Sequence, residues 1–223
     1  MPASIGANYV KQTMPLHKII NVNSDTQIFI WKITESYQQL SHEVKLNNAS
    51  EARVNGMKSE SHRRGFLSVR KLLQQNGYSD FNLYYDAFGK PHLTDGNHLS
   101  ITHSHEFSAV VFSNCNIGID IEKQRDKIIR IADKFIFDEF RYLEKANVSE
   151  YISKLTVIWG IKEAIFKIRN EQGISFKDHI KVQPFDLVSN KATAVLEFDK
   201  IIHKFSIIFE TIENFILVYA VEN

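Results

Sequence analysis

The segment Ile117-Gly118-Ile119-Asp120-Ile121-Glu122 leaves the chain the least freedom. Its apolar and acidic residues alternate, and successive side chains of a strand point to opposite faces. Ile117, Ile119 and Ile121 therefore share one face, and Asp120 and Glu122 share the other. The surrounding chain must bury the isoleucines while leaving the carboxylates, about 7 Å apart by the strand rise, at a surface or a cleft. Two hard oxygen donors on a rigid strand suit Mg²⁺. The same alternation also describes a half-exposed edge strand with solvated acids.

The rest of the pattern is mixed. Gln27 to Ile33 is β-prone, and Phe66, Leu67, Val69, Leu72 and Leu73 recur at helical spacing within Ser59 to Gln75, with Asn76-Gly77 as the stop. Tyr78 to Leu93 reads as a strand broken at Gly89-Lys90-Pro91. Ala109–Phe112 and Ile117–Ile121, joined by Ser113-Asn114-Cys115-Asn116, predict a hairpin. Asp126 to Ala146 reads as one or two short helices and Tyr151 to Arg169 as a longer one. β-prone runs follow at Ala194–Phe198, Phe205–Phe209 and Phe215–Val221. Met1 to Asp25 shows no sustained period and is expected as a loosely ordered lead-in. The fold class is α+β with mostly antiparallel pairing.

Composition narrows the function classes. Lys and Arg number 27 against 26 Asp and Glu, a net charge of +1, which excludes a protein that holds nucleic acid by bulk charge. A hydrophobic content of 43% in 223 residues supports one large domain or two small ones, and 9 Gly with 4 Pro exclude a linker-rich architecture. Cys115, the one cysteine, can form no internal disulfide and no thiolate metal site by itself, as suits a reducing compartment. No apolar core follows Lys11 and Lys18, so no signal peptide is expected, and the longest apolar run, Phe215 to Val221, is too short to span a bilayer. A soluble, cytoplasmic protein is expected, with no nucleic-acid or membrane partner.

Three further clusters carry chemistry. Trp159, Glu163 and Lys167 recur every four residues and share a helical face, which is either a site wall or a surface salt bridge. In Ser100-Ile101-Thr102-His103-Ser104-His105, a regular strand places Thr102 and Ser104 opposite Ile101, His103 and His105. A histidine there can serve a phosphate, and two at that spacing can begin a zinc site. Lys58, Arg63, Arg64, Arg70 and Lys71, opposed only by Glu60, form either an anion-binding patch or a solvated helix face, with Lys90 on its turn nearby.

In order and spacing, Gly89-Lys90-Pro91-x-Leu93, Thr102-His103-Ser104, Gly118-x-Asp120-x-Glu122 and Trp159-x-x-Lys162-Glu163-Ala164-x-x-Lys167 resemble the 4′-phosphopantetheinyl transferase superfamily, in its larger two-subdomain, surfactin-synthetase-type group. The last two motifs match the family pattern in full. The histidine motif departs from it, with Ser100 where Asn is common, Thr102 where Ser is common, and His105 where a small residue is frequent.

The resemblance implies a monomer of two similar, pseudo-twofold subdomains, 1–105 and 106–223, each a small mostly antiparallel sheet packed with helices, and a ligand cleft between them. It implies transfer of the 4′-phosphopantetheine arm of coenzyme A to a serine of an acyl or peptidyl carrier protein. Asp120, Glu122 and Glu163 then hold Mg²⁺, with Mn²⁺ as a substitute. Glu163 takes the serine proton and Lys167 holds phosphates or the leaving group, so that Glu163, Lys167 and Asp120 form the catalytic set. Thr102 and His103 touch the diphosphate, while Arg63, Lys90 and Pro91 serve the 3′-phosphate or its neighbours. The basic helix from Lys58 to Lys71 is an alternative dock for an acidic carrier. Two other functions fit the same residues: a metal-dependent phosphohydrolase acting on a phosphoanhydride, and a binding module whose carboxylates are merely solvated.

Overall fold

The computed structural model describes residues 16–223, so residues 1–15 of the expected lead-in lie outside the described residues. The remainder of that lead-in is not loose. Leu16–Asn23 forms strand β1, which pairs antiparallel with β2 (Thr26–Lys32) through Ile19↔Phe29 and Ile20↔Ile28. β1 is an edge strand with mostly exposed side chains, so it carries no apolar period to read.

Three helices follow. α1 (Tyr37–Glu43) starts at a Ser36/Gln39 capping box, α2 (Asn48–Gly56) at an Asn47 cap, and α3 (Glu60–Gln75) at a Ser59 cap. The expected 78–93 strand is shorter than its apolar content suggested. Only β3 (Leu83–Tyr85) and β4 (Pro91–Leu93) are extended, after a 3₁₀ turn at Asp80–Asn82. β5 (His98–Ser104) and β6 (Phe107–Ser113) complete a four-stranded antiparallel sheet in the order β1-β2-β6-β5.

The second half opens with β7 (Ile117–Lys123), passes through 3₁₀ turns at Asp126–Lys134 and Asp138–Tyr142, and enters the long helix α4 (Val148–Arg169). β8 (Ile180–Val182), β9 (Lys191–Phe198), β10 (Ile201–Ile212) and β11 (Phe215–Glu222) then build a five-stranded sheet ordered β7-β11-β10-β9-β8. Both halves share one plan. A strand (β2 or β7) leads to a long helix (α3 or α4), and a later hairpin returns its last strand (β6 or β11) beside the first.

One expectation is corrected. β6 and β7 do not form a hairpin: β6 pairs with β2 and β5, and β7 pairs with β11. The link at 114–116 is where the chain changes sheets. A division between His105 and Glu106 would cut the β5–β6 hairpin, both strands of which belong to the first sheet. By strand membership the changeover falls between Ser113 and Ile117.

The sheets use their two faces differently. Phe29, Trp31, Leu99 and Val110 pack with Phe66, Val69 and Leu72 of α3, and Phe205, Ile207, Ile216 and Val218 pack with Leu155, Ile161 and Ile165 of α4. The opposite faces meet each other: Ile28, Ile30, Phe107 and Ala109 bury against Ile117, Ile119, Ile121, Phe215 and Leu217. Burial of that third cluster welds the halves together. The edge strands β5 and β7 run side by side without a backbone ladder. The Ser100 hydroxyl accepts from the Ile119 N–H, and the Thr102 hydroxyl from the Ile121 N–H, each at 3.2 Å. Among the described residues no helix is long and apolar enough to cross a membrane.

Candidate active site

The β5–β7 seam opens into a cleft of about 500 Å³, and residues of both halves line it. The first half supplies Arg53, Tyr85, Lys90, Pro91, Thr102 and His103; the second supplies Asp120, Glu122, Glu163 and Lys167. Alternation in β7 works as the sequence predicts, with the isoleucines in the interface between sheets and the carboxylates toward α4. Gly118 allows this. A Cβ there would meet the Ala164 carbonyl oxygen at 2.0 Å, so the backbones of β7 and α4 touch only because residue 118 has no side chain. The close approach puts Glu163 and Lys167 directly over Asp120.

Asp120 is buried. Its Oδ1 accepts from the Thr102 hydroxyl at 3.0 Å and from Lys167 Nζ at 2.7 Å, while Lys167 also donates to the Ile119 carbonyl at 2.9 Å. Its Oδ2 is buried and has no hydrogen-bond partner among the described residues. Glu122 accepts from the Ser104 hydroxyl at 3.2 Å, and burial followed by the Asp120 charge pushes its carboxyl up. Glu163 is pushed up to about 7. Burial is the main cause, the Asp120 charge comes next, Lys167 partly offsets it, and Glu122 adds a smaller push. An acid cluster that resists ionisation is short of positive charge. Among the described residues no three His, Cys, Asp or Glu side chains are drawn together as a metal-holding group, and Asp120 has Lys167 on one oxygen. The donor chemistry fits a hard dication nonetheless: three carboxylates line one cleft and one oxygen is left orphaned.

His103 is exposed on the cleft wall, yet surrounding protein strips enough water from its imidazole to hold it down at about 4, helped by the charges of His62, Lys167, Arg70 and Arg53. The expected alternation holds up to Ser104. His105 leaves the strand in a left-handed turn (φ 51°), so the pair of histidines does not form a site. Lys90 Nζ reaches across the halves to the Ile168 carbonyl at 2.7 Å and to Asn116 Oδ1 at 3.3 Å, and burial lowers its pKa. The carbonyls at the end of α4 are a natural acceptor for it.

Four of the five side chains of the basic patch have partners within the fold. Arg63 lies outside the cleft, with Nε donating to the Met57 carbonyl at 2.8 Å and the guanidinium over the Tyr37 ring. Arg64 donates to the Ile33 carbonyl, Lys71 pairs with Glu43, and Arg70 is buried against Asp80 at 2.9 Å. Each α3 cation thus has a partner within the fold, although Arg64 Nε is buried without one among the described residues. Arg53 lines the cleft instead, its guanidinium 5.2 Å from the Tyr85 ring and 5.6 Å from that of Phe66. Nothing in the sequence marks it, because α2 shows no amphipathic period.

One more residue escapes sequence reasoning, and a second, Lys162, is named in its motif without a role. Asp86 accepts from the Phe88 and Lys90 N–H groups, both at 2.9 Å, and so shapes the turn that carries Lys90 and Pro91. Lys162 is fully buried. It pairs with Glu139 at 2.7 Å and donates to the Phe135 and Phe176 carbonyls, tying two loops to the back of α4. Trp159 meets Phe135 edge-on and Phe176 at a tilt within that region, and with Glu122, Lys123, Arg125 and Lys127 it walls a smaller depression.

Residues 116–219 match the family model of the 4′-phosphopantetheinyl transferase superfamily. The chain is 32% identical over 107 residues to 4′-phosphopantetheinyl transferase gsp of Aneurinibacillus migulanus, covering 46% of this chain and 45% of that one. It is 30% identical over 118 residues to 4′-phosphopantetheinyl transferase Sfp of Bacillus subtilis (strain 168), covering 49% and 53%. The transferase ffp of Bacillus subtilis matches at 27% over 118 residues. The chain spans about half the length of the curated relatives it matches.

Proposed function

We propose that the chain, whose residues 116–219 match the 4′-phosphopantetheinyl transferase superfamily model, transfers the 4′-phosphopantetheine arm of coenzyme A to a serine of an acyl or peptidyl carrier protein. The observation that supports this most is the one cleft that sets His103, Lys90 and Arg53 of the first half against Asp120, Glu122, Glu163 and Lys167 of the second. Cations and acids facing one another across a groove fit a polyanion bridged by a metal ion.

In this reading Asp120, Glu122 and Glu163 hold Mg²⁺ or Mn²⁺. The bound ion would neutralise charge that grows on the diphosphate as its bond breaks. Lys167 and His103 bind phosphate oxygens, and Lys90, Pro91 and Arg53 line the end that takes the 3′-phosphate. Arg53 replaces Arg63, whose guanidinium is held by Met57. Thr102 spends its hydroxyl on Asp120 and the Ile121 N–H, so its part is to orient Asp120 beside the phosphates. The serine oxygen bonds to the phosphorus that bears the pantetheine arm, and the bond from that phosphorus to the bridging oxygen breaks. The electron pair leaves on adenosine 3′,5′-bisphosphate. Glu163 takes the serine proton, directly or through water. The protein acts as a cytoplasmic monomer of two subdomains divided at the sheet changeover.

The test is intact-mass analysis of apo carrier proteins incubated with coenzyme A and Mg²⁺. Wild type adds one phosphopantetheine arm, and Glu163→Gln slows the addition by about 10²-fold or more while still folding. Bisphosphate release with no acceptor present would instead identify a phosphohydrolase, and undiminished transfer by Glu163→Gln would remove its role as base.

A further inference from the structure

We infer that Gly65 is a positioning residue for His103, its missing side chain forming the seat on which the imidazole rests. The inference builds on the reading of His103 as a phosphate contact in the cleft. Gly65 lies inside α3, buried, where glycine costs helix stability relative to alanine. A residue that unfavourable needs a reason, and the His103 ring provides one. A Cβ at residue 65 would stand 2.7 Å from His103 Nδ1, 2.9 Å from Cγ and 3.2 Å from Cε1. Three atoms of one ring thus lie against the bare helix backbone, with the His62 ring centred 6.5 Å away on the same side.

The strand has no room to retreat. His103 is the register partner of Ser108 on β6, and the Ser108 hydroxyl meets that of Ser68 at 2.9 Å. Ser68, one turn after Gly65, donates to the Gly65 carbonyl at 2.8 Å. Helix and sheet are therefore locked together at the level of His103. On the other side of β5, Ser100 and Thr102 hold the Ile119 and Ile121 N–H groups of β7. With α3 and β5 both held, a methyl group at residue 65 can be accommodated only by turning the imidazole about χ1 and swinging it outward into the cleft. The ring nitrogen that faces a phosphate would then be displaced.

The test compares wild type, Gly65→Ala, His103→Ala and the double variant in the full chain, without and with coenzyme A and Mg²⁺. Ring resonances of His103 by NMR read the seat with no ligand present: they are expected to move in Gly65→Ala, and unmoved resonances overturn the inference. Calorimetry reads the consequence. Gly65→Ala is expected to weaken coenzyme A binding about fivefold or more. In the His103→Ala background the same change should alter affinity by less than about twofold. An equal loss in both backgrounds means that Gly65 acts on something other than His103 and overturns it. If Gly65→Ala melts early, the double variant, with space where the ring was, is expected to melt no lower than His103→Ala, and a lower melting point overturns the inference. If wild type binds no coenzyme A, the functional reading fails while the ring resonances still decide the seat.

Discussion

In the first half of the molecule the cations along α3 have found partners, Arg70 in Asp80, Lys71 in Glu43, and Arg63 and Arg64 in backbone carbonyls, although Arg64 Nε is buried without one among the described residues. In the second half, built on the same strand–helix–hairpin plan, the carboxylates around α4 have not. Asp120 keeps a buried oxygen without a partner, and Glu122 and Glu163 are pushed toward the neutral form. The difference does not come from carboxylates as such, because Glu139 in that same half is fully satisfied by Lys162 and two backbone N–H groups. Charge serving the fold is paired inside the chain, whereas charge left short of a partner in a cleft marks where a ligand supplies the missing sign.

The largest expected effect tests the satisfied side. Arg70→Ala strands Asp80 in the core and is expected to cost about 3–5 kcal/mol of stability in urea unfolding. Arg53→Ala removes a cation that makes no ion pair among the described residues and should cost far less. Equal losses would break the comparison.

Next in size is a pH effect on the unsatisfied side. Glu163 titrates near 7 in the folded chain against an ordinary 4.5, so the fold holds that proton more tightly than the unfolded chain does. The stability this contributes is complete below about 4.5 and is lost as pH rises through about 7. His103, held near 4 against 6.5, acts in the opposite sense and loses stability as pH falls through that window. The difference between wild type and Glu163→Gln isolates the first contribution. The advantage of the variant in thermal melts without divalent ions should grow from pH 4.5 to 7 and then level off, and a flat difference would count against the frustrated cluster.

The smallest effect separates two arginines. Arg53→Ala is expected to weaken coenzyme A binding by about threefold to tenfold, the scale of one exposed charge-assisted contact, and Arg63→Ala to leave it unchanged. The reverse result would return the 3′-phosphate to Arg63.

What could be read in the sequence followed from how local each signal is. α3, β9 and β10 declare themselves by a buried face of regular period, and β7, α4 and β11 by apolar runs that are buried on more than one face. α1 and α2 are short and owe their start to single caps at Ser36 and Asn47, and β1 is an exposed edge, so none carries a period. The hairpin expected between β6 and β7 fails for another reason. Two β-prone runs with a short link look the same whether they pair with each other or with strands from opposite ends of the chain. The acids of the site were legible because a strand and a helix fix their faces. Lys90, His103 and Lys167 were legible from their motifs, but the arginine of the cleft was not, since whether an arginine is free depends on a partner such as Met57 or Asp80, which the spacing of α3 does not reveal.

The account rests on carboxylates kept short of positive charge, and calorimetric titration of Mg²⁺ into the protein with coenzyme A at pH 6 reads that directly. Run in buffers of differing ionisation enthalpy, wild type should bind the ion and release about one proton as Glu163 gives up its own. Glu163→Gln should bind more weakly and release almost none. Binding by wild type with no proton released, or equal binding and release by both proteins, would contradict it.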